Sequence, residues 1–179
     1  MAEVFDRPII ETGRLRLRRP NDRDVSAIIT AVGDAEVARR LSRIPHPYTP
    51  ADARFFLDHV VPGEWVWAIT RGGEDTMIGA VGLTPGEGMA DGESAELGYW
   101  LARASWGEGI VTEAARAVVA YGFDTLRLPY IRSGYFADNP ASGAVLRKLG
   151  FVETGRGTRP CLMLGRDVAS VEMRLAGLA

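Results

Sequence analysis

From Glu64 onward the hydrophobic period of this chain changes from that of a helix to that of a strand, and the switch limits the possible fold more than any other feature. Before it, Asp22 to Val32 carries Val25, Ile28, Ile29 and Val32 at the spacing of one buried helical stripe, with Asn21 as cap. Asp34 starts a second short helix expected to end near Ser42. The three prolines of "RIPHPYTP" then exclude regular structure. Thr49 as N-cap, Pro50 at the first helical position and Asp52 in the first turn mark a third helix, with Phe55, Phe56, His59 and Val60 expected on one face. Only "RLRLRR", Arg14 to Arg19, alternates in this early part and predicts a strand with one wet face.

After the switch, "EWVWAIT" and "TMIGAVGLT" are joined by "RGGED", whose glycines suit the turn of a hairpin. The acidic, glycine-rich loop "PGEGMADGES" leads to a third strand, "AELGYWLA" from Ala95 to Ala102. Thr112 to Thr125 reads as a helix with Ala115, Val118, Val119, Gly122 and Phe123 inward. "YIRSGYFA" is a further strand, "NPASGAVLRKLG" a capped helix stopped by glycine, and "PCLMLG" with "VASVEMRL" two closing strands. Helices, then a strand meander, then a strand-helix-strand-helix unit predict an α+β, mixed-sheet fold. With no repeat or linker, residues 1–179 are expected to form a single domain.

Composition narrows the function. The chain has 21 Lys plus Arg against 23 Asp plus Glu, so a net charge of -2 supplies no field to recruit nucleic acid or an anionic membrane. A polyanionic ligand must be gripped locally. No run of about 18 apolar residues and no basic, apolar leader occurs, so a soluble, cytoplasmic protein is expected. A lone Cys161 with His46 and His59 excludes an internal disulfide and a multi-cysteine metal site, and no metal is expected. Monomer and homodimer both remain open.

The stretch "ASWGEGIVTEA", Ala104 to Ala114, places two glycines and a tryptophan at a strand-to-helix junction. A helix start leaves its first N–H groups without partners and carries roughly half a positive charge, which suits phosphate oxygens. At Gly107 and Gly109 the missing Cβ atoms let an anion come close to the backbone. The same glycines would also serve a helix that simply packs tightly on a sheet. The loop has no Gly-Lys-Ser/Thr and no full dinucleotide fingerprint, so nucleoside triphosphates and NAD fit poorly.

"ELGYWLARASWGEGIVTEAARAVVAYGFDTLRL" and "DNPASGAVLRKLGFVETG" together resemble the GCN5-related N-acetyltransferase (GNAT) family, in particular its branch of ribosomal-protein N-terminal acetyltransferases. The likeness runs from "ETGRLRLRRPNDRDVSAI" through the final strand. It implies a strongly twisted mixed sheet, splayed in the middle with helices on both faces, that binds acetyl-CoA as the acetyl donor. It further implies that Trp106, Gly107, Glu108, Gly109 and Ile110 hold the pyrophosphate through main-chain groups. Leu101 would offer backbone groups to the pantetheine arm, and Asn139 and Ser142 would contact the cofactor from the second helix. Asn139 before Pro140 is equally a strong helix cap by itself. Two positions depart from the family pattern: Ala104 replaces a frequent Gln or Arg, and Leu146 stands where many relatives carry a tyrosine acid.

On this resemblance the protein is an acyltransferase moving an acetyl group directly to a primary amine, on a small molecule or a protein N-terminus. A non-catalytic acyl-CoA sensor or interaction module is the alternative. Glu96, an acid among apolar neighbours in "SAELGYW", is the candidate base or else the partner of an arginine. Tyr135 is the candidate acid or else part of the wall. By the resemblance, His46 and Tyr48, with Glu87, Asp91 and Glu93, lie toward the acceptor, where negative charge would favour a cationic amine. Trp65, Trp67 and Cys161 are expected in the core.

Overall fold

The computed structural model describes residues 5–86 and 94–177. Glu87, Asp91 and Glu93 lie outside the described residues. The strands are β1 (Ile10–Glu11), β2 (Leu15–Arg18), β3 (Trp65–Arg71), β4 (Gly79–Pro85), β5 (Ala95–Leu101), β6 (Tyr130–Phe136), β7 (Val152–Cys161) and β8 (Arg166–Ala176). They form one sheet in the order β1-β2-β3-β4-β5-β6-β8-β7. Among the described residues only the β5–β6 pair is parallel; the others are antiparallel. The expected mixed-sheet α+β fold is observed.

Strand alternation divides the core between the two faces of this sheet. Trp65, Trp67, Ile69, Val81, Leu83 and Leu97 join one cluster, against α5 (Ile110–Asp124) and α6 (Pro140–Lys148). Val66, Ala68 and Ala80 point the opposite way and meet α1 (Val25–Val32) and α3 (Pro50–Phe55). With helices on both sides, β3 is buried at every position from Trp65 to Thr70. Burial on both faces makes it an almost continuous apolar run.

Capping sets the helix starts. Asn21 accepts from the Arg23 amide at a short turn, Asp22–Asp24, that leads into α1. Asp34 caps α2 (Ala35–Ala38), which stops short of the expected Ser42. Thr49 and Asp52 form a reciprocal capping box before α3. Beyond α3 the chain widens into a π turn, Phe56–Val60, before a last turn, α4 (Val61–Gly63). The extra residue in the turn shifts the phase of the buried stripe. Ala53, Leu57 and Val61 therefore face the core, with the expected Phe56 and Val60 packed beside them, whereas Phe55 is 59% exposed and stacks on the exposed His59 at 4.7 Å, contrary to the sequence expectation for those two.

A second correction concerns the C-terminal hairpin. "PCLMLG" was expected as a strand, but Leu162 to Gly165 make the turn, closed by the Gly165 amide on the Leu162 carbonyl at 3.2 Å. The strand is β7, which pairs with β8 from Val152↔Arg174 to Cys161↔Arg166 around a bulge at Glu153/Gly155. As an edge strand it is mostly exposed, carrying Arg156, Arg159 and two glycines where a hydrophobic alternation would have revealed it. The hairpin tip is tied to the helical region: the Leu162 amide donates to Ser42 and the Ser42 hydroxyl to Pro160 at 2.6 Å.

One feature of the sheet places the candidate site. β5 and β6 pair only at Ala95↔Ile131 and Glu96↔Arg132, after which the two strands part.

Candidate active site

The chain leaves β5 through a short turn, Arg103–Ser105, into the glycine loop. Trp106 anchors the loop twice: its amide donates to the Arg103 carbonyl at 3.2 Å and its indole Nε1 to the Leu101 carbonyl at 2.9 Å. The Arg40 guanidinium lies 4.9 Å from its ring centroid. Gly107 and Gly109 then take φ values of 80° and 75°, a left-handed backbone that side chains with a Cβ adopt at a cost. Gly109 caps α5, which begins at Ile110, two residues earlier than expected from the sequence. The first return bond runs from the Glu113 amide to the Gly109 carbonyl at 3.1 Å.

Each amide from Gly107 to Thr112 is therefore without an acceptor among the described residues. They sit at the positive end of a 15-residue helix, an arrangement that receives anions. Trp106, whose amide is already used, fixes the loop, and the run of free amides begins one residue later.

The gap between β5 and β6 opens beside this loop. The Ala102 amide bonds the Ile78 carbonyl just before β4, so by strand alternation the odd residues Leu97, Tyr99 and Leu101 turn their backbone groups toward the gap. The Leu97 carbonyl is taken by the Ser133 hydroxyl at 2.9 Å and the Leu101 carbonyl by Trp106. Beyond Glu96 no strand pairing among the described residues covers the backbone of Tyr99 or the Leu101 amide. Of the main-chain groups at Leu101, the N–H is the one left facing the gap.

Across the gap, Asn139 caps α6 through a 3.4 Å bond from the Ser142 amide. The Ser142 hydroxyl in turn meets the Tyr99 hydroxyl at 2.9 Å, linking the first turn of α6 to β5. Burial pushes the Tyr99 phenol up to about 12. Asn139 and Ser142 thus stand beside the gap as a cap and a cross-strand link. Leu146 is fully buried in the core, so its position offers no proton donor. Tyr135 lies against α6 where Gly143 has no side chain; a Cβ there would sit 2.5 Å from the ring. Its hydroxyl accepts from Arg147 at 3.4 Å.

Glu96 points to the opposite face of β5 from Leu97. Its Oε1 accepts from Arg159 of β7, and its Oε2 has no hydrogen-bond partner among the described residues. Arg159 also forks onto Glu172 of β8, with Nε at 2.9 Å and Nη2 at 2.5 Å. The guanidinium lies flat over Gly134, where an added Cβ would come within 2.6 Å of it. Shared between two carboxylates, Arg159 is held firmly protonated, and it keeps Glu172 below the usual carboxylate range. Glu96 is thus both an arginine's partner and a carboxylate with one oxygen open.

Arg159 and Glu172 were not singled out from the sequence. A signal for Glu172 existed: Ser170, Glu172 and Arg174 alternate with Val171 and Met173 along the expected last strand. For Arg159 there was none, because β7 itself was missed.

The likeness to known proteins agrees with this geometry. The family described as "Acetyltransferase (GNAT) domain" matches residues 14–152. An uncharacterized N-acetyltransferase of Bacillus subtilis (strain 168), YoaA, is 32% identical over 154 residues, covering 83% of this chain and 85% of that protein. Among solved structures, a GNAT-family acetyltransferase from Bacillus anthracis superposes with a TM-score of 0.82 at 21% identity, over 94% of this chain and 98% of that one. The ribosomal L7/L12 alpha-N-protein acetyltransferase RimL, solved with coenzyme A, superposes with a TM-score of 0.78 at 20% identity, over 94% and 97%. A parted β5–β6 pair with a glycine loop of free amides at its mouth, and a family match spanning most of the sequence, lead to one conclusion: the chain belongs to the GNAT acetyltransferase family and is an acyltransferase.

Proposed function

We propose that the protein transfers the acetyl group of acetyl-CoA directly to a primary amine, and that the amine is the N-terminus of a protein or peptide. The observation that carries the donor half is the run of unpartnered amides from Gly107 to Thr112 at the start of α5. Amides fixed in this way bind a diphosphate without reorganising, and hydrogen bonds to charged groups are worth about 1.5 to 3 kcal/mol each. The acceptor half is supported by the likeness to RimL, an alpha-N-protein acetyltransferase by name. On this reading the whole chain, residues 1–179, is one catalytic domain that needs no metal.

The pantetheine arm lies in the β5–β6 gap, where the Tyr99 backbone and the Leu101 amide supply the pairing that β6 does not. Asn139 and Ser142 border the arm from α6. An incoming free amine attacks the thioester carbonyl; the C–N bond forms, the C–S bond breaks and the sulfur leaves as a thiolate. The Leu101 N–H stabilises the charge that develops on the carbonyl oxygen, a type of contribution worth roughly 2.7 to 4 kcal/mol. The open Oε2 of Glu96 takes the amine proton through water, and the Tyr135 hydroxyl is the candidate donor to the thiolate.

The test is free-thiol release from acetyl-CoA with peptides beginning in Ser, Ala or Thr, with the same peptides N-terminally blocked, and with spermine. Thiol release that requires an unblocked peptide is expected. Release with spermine alone would move the acceptor to small amines, and tight acetyl-CoA binding with no acceptor-dependent release would overturn the transfer reaction.

A further inference from the structure

The glycine loop carries two carboxylates at the place where a diphosphate would bind. Glu108 stands between the two glycines, and Glu113 lies on the first turn of α5. Glu113 faces a cavity of about 500 Å³ that it shares with Gly109, Thr112, Arg14, Arg116 and Lys148. Bare carboxylates here would repel the anion that the free amides attract.

Neither carboxylate is bare. Glu113 Oε1 accepts from the Thr12 hydroxyl at 2.6 Å and from the Arg14 amide at 2.9 Å, while Oε2 accepts from Arg14 Nε at 2.8 Å. Arg14 also donates Nη1 to the Glu108 carbonyl at 3.0 Å, so a single guanidinium holds both the helix start and the loop. Arg71 Nη2 reaches both oxygens of the Glu108 side chain, at 3.0 and 3.1 Å. The two arginines are themselves joined through backbone, since the Gly72 amide bonds the Arg14 carbonyl at 2.8 Å.

We infer that Arg14, in the β1–β2 turn, and Arg71, at the end of β3, are positioning residues that neutralise the two carboxylates of the glycine loop and clamp it in its anion-receiving shape. Both residues come from the sheet region that the loop packs over, distant in sequence from α5. The pairs also keep Glu108 and Glu113 below the usual carboxylate range, the Arg71 bond being the main cause for Glu108 and the Thr12 hydroxyl followed by Arg14 for Glu113. The loop therefore remains charge-compensated at neutral pH rather than by protonation.

The inference rests on the diphosphate reading of the loop, and a double-mutant cycle separates the two. Acetyl-CoA binding is measured by calorimetry for the wild type, Arg14→Ala, Glu113→Gln and the double variant, with Arg14→Lys as a milder control if alanine unfolds the chain. Arg14→Ala is expected to weaken acetyl-CoA about tenfold, or about 1.4 kcal/mol, with kcat at saturating donor within about twofold. Adding Glu113→Gln is expected to recover affinity to within about threefold of wild type, because no uncompensated charge then remains. Acetyl-pantetheine, which has no phosphate, should show an unchanged KM in every variant. A double variant as weak as Arg14→Ala, or an equal loss with acetyl-pantetheine, would overturn the neutralisation of Glu113 by Arg14 while leaving the donor site intact. A wild type that does not bind acetyl-CoA would remove the donor site and the clamp together.

Discussion

The two sides of the β5–β6 gap are built from different materials. On the side proposed for the donor, at the start of α5, the exposed polar groups are main-chain amides set by two positive-φ glycines, and side chains serve as props. On the opposite face the polar groups are side chains: Glu96, Arg159 and Glu172, from three strands, held by one another. Main-chain groups cannot rotate away, so the first arrangement is rigid and indifferent to most substitutions around it. The second depends on each member of a charged chain, and losing one leaves the others uncompensated. A grip on the constant part of a substrate pair suits the first design, and discrimination of a variable partner suits the second.

The sharpest break of the donor side is Gly109→Val. A branched side chain at φ 75° rotates the loop and removes at least two charge-assisted bonds of about 1.5 to 3 kcal/mol each. Acetyl-CoA affinity is expected to fall about a thousandfold, or roughly 4 kcal/mol, with the fold intact by circular dichroism. Unchanged binding would show that the loop does not hold the donor. On the other face, Glu96→Gln should lower kcat about a hundredfold while acetyl-CoA affinity stays within about twofold, the range expected when a general base is removed. An unaltered kcat would reduce Glu96 to the structural partner of Arg159.

The smallest effect sharpens the contrast through acid stability. Arg159 depresses the Glu172 carboxyl, so this ion pair contributes stability that is present above the ordinary glutamate value of about 4.3 and is lost as pH falls through the lower folded-state value. Melting temperature followed between neutral pH and about pH 3 should therefore decline less steeply in Arg159→Ala than in the wild type, from a lower starting value. Because the pair is partly solvated, the starting difference is expected to be a few degrees, corresponding to about 1 kcal/mol. A parallel decline in the two proteins would show that the pair is not linked to folding.

The same contrast explains what could be read from the sequence. Backbone devices leave local marks: Gly107 and Gly109 ahead of an apolar helix period, Asn139-Pro140 and Thr49-Pro50 as helix starts, all within a few residues of what they determine. The α+β order and the alternation around Trp65 and Trp67 followed for the same reason. The Glu96–Arg159 pair spans 63 positions and needs β7, an edge strand whose exposed residues follow no hydrophobic rhythm. The tie from Arg14 to Glu113 spans 99 positions and is invisible to any local pattern. Phe55 and His59 were misplaced on the buried face because nothing in "RFFLDHV" announces the π turn that shifts its phase.

The early parting of β5 and β6 has a consequence for the protein as a folded object. Within its own chain the sheet is unfinished, with backbone donors and acceptors of β5 left toward an opening in the interior. On the proposed reading, the donor acts as the missing rung, and a molecule that completes a sheet adds its binding energy to the folded state alone. Amide hydrogens of Tyr99 and Leu101 should then exchange with solvent slowly when the donor is present and quickly once the product has left, so that each catalytic cycle also tightens and loosens the centre of the fold.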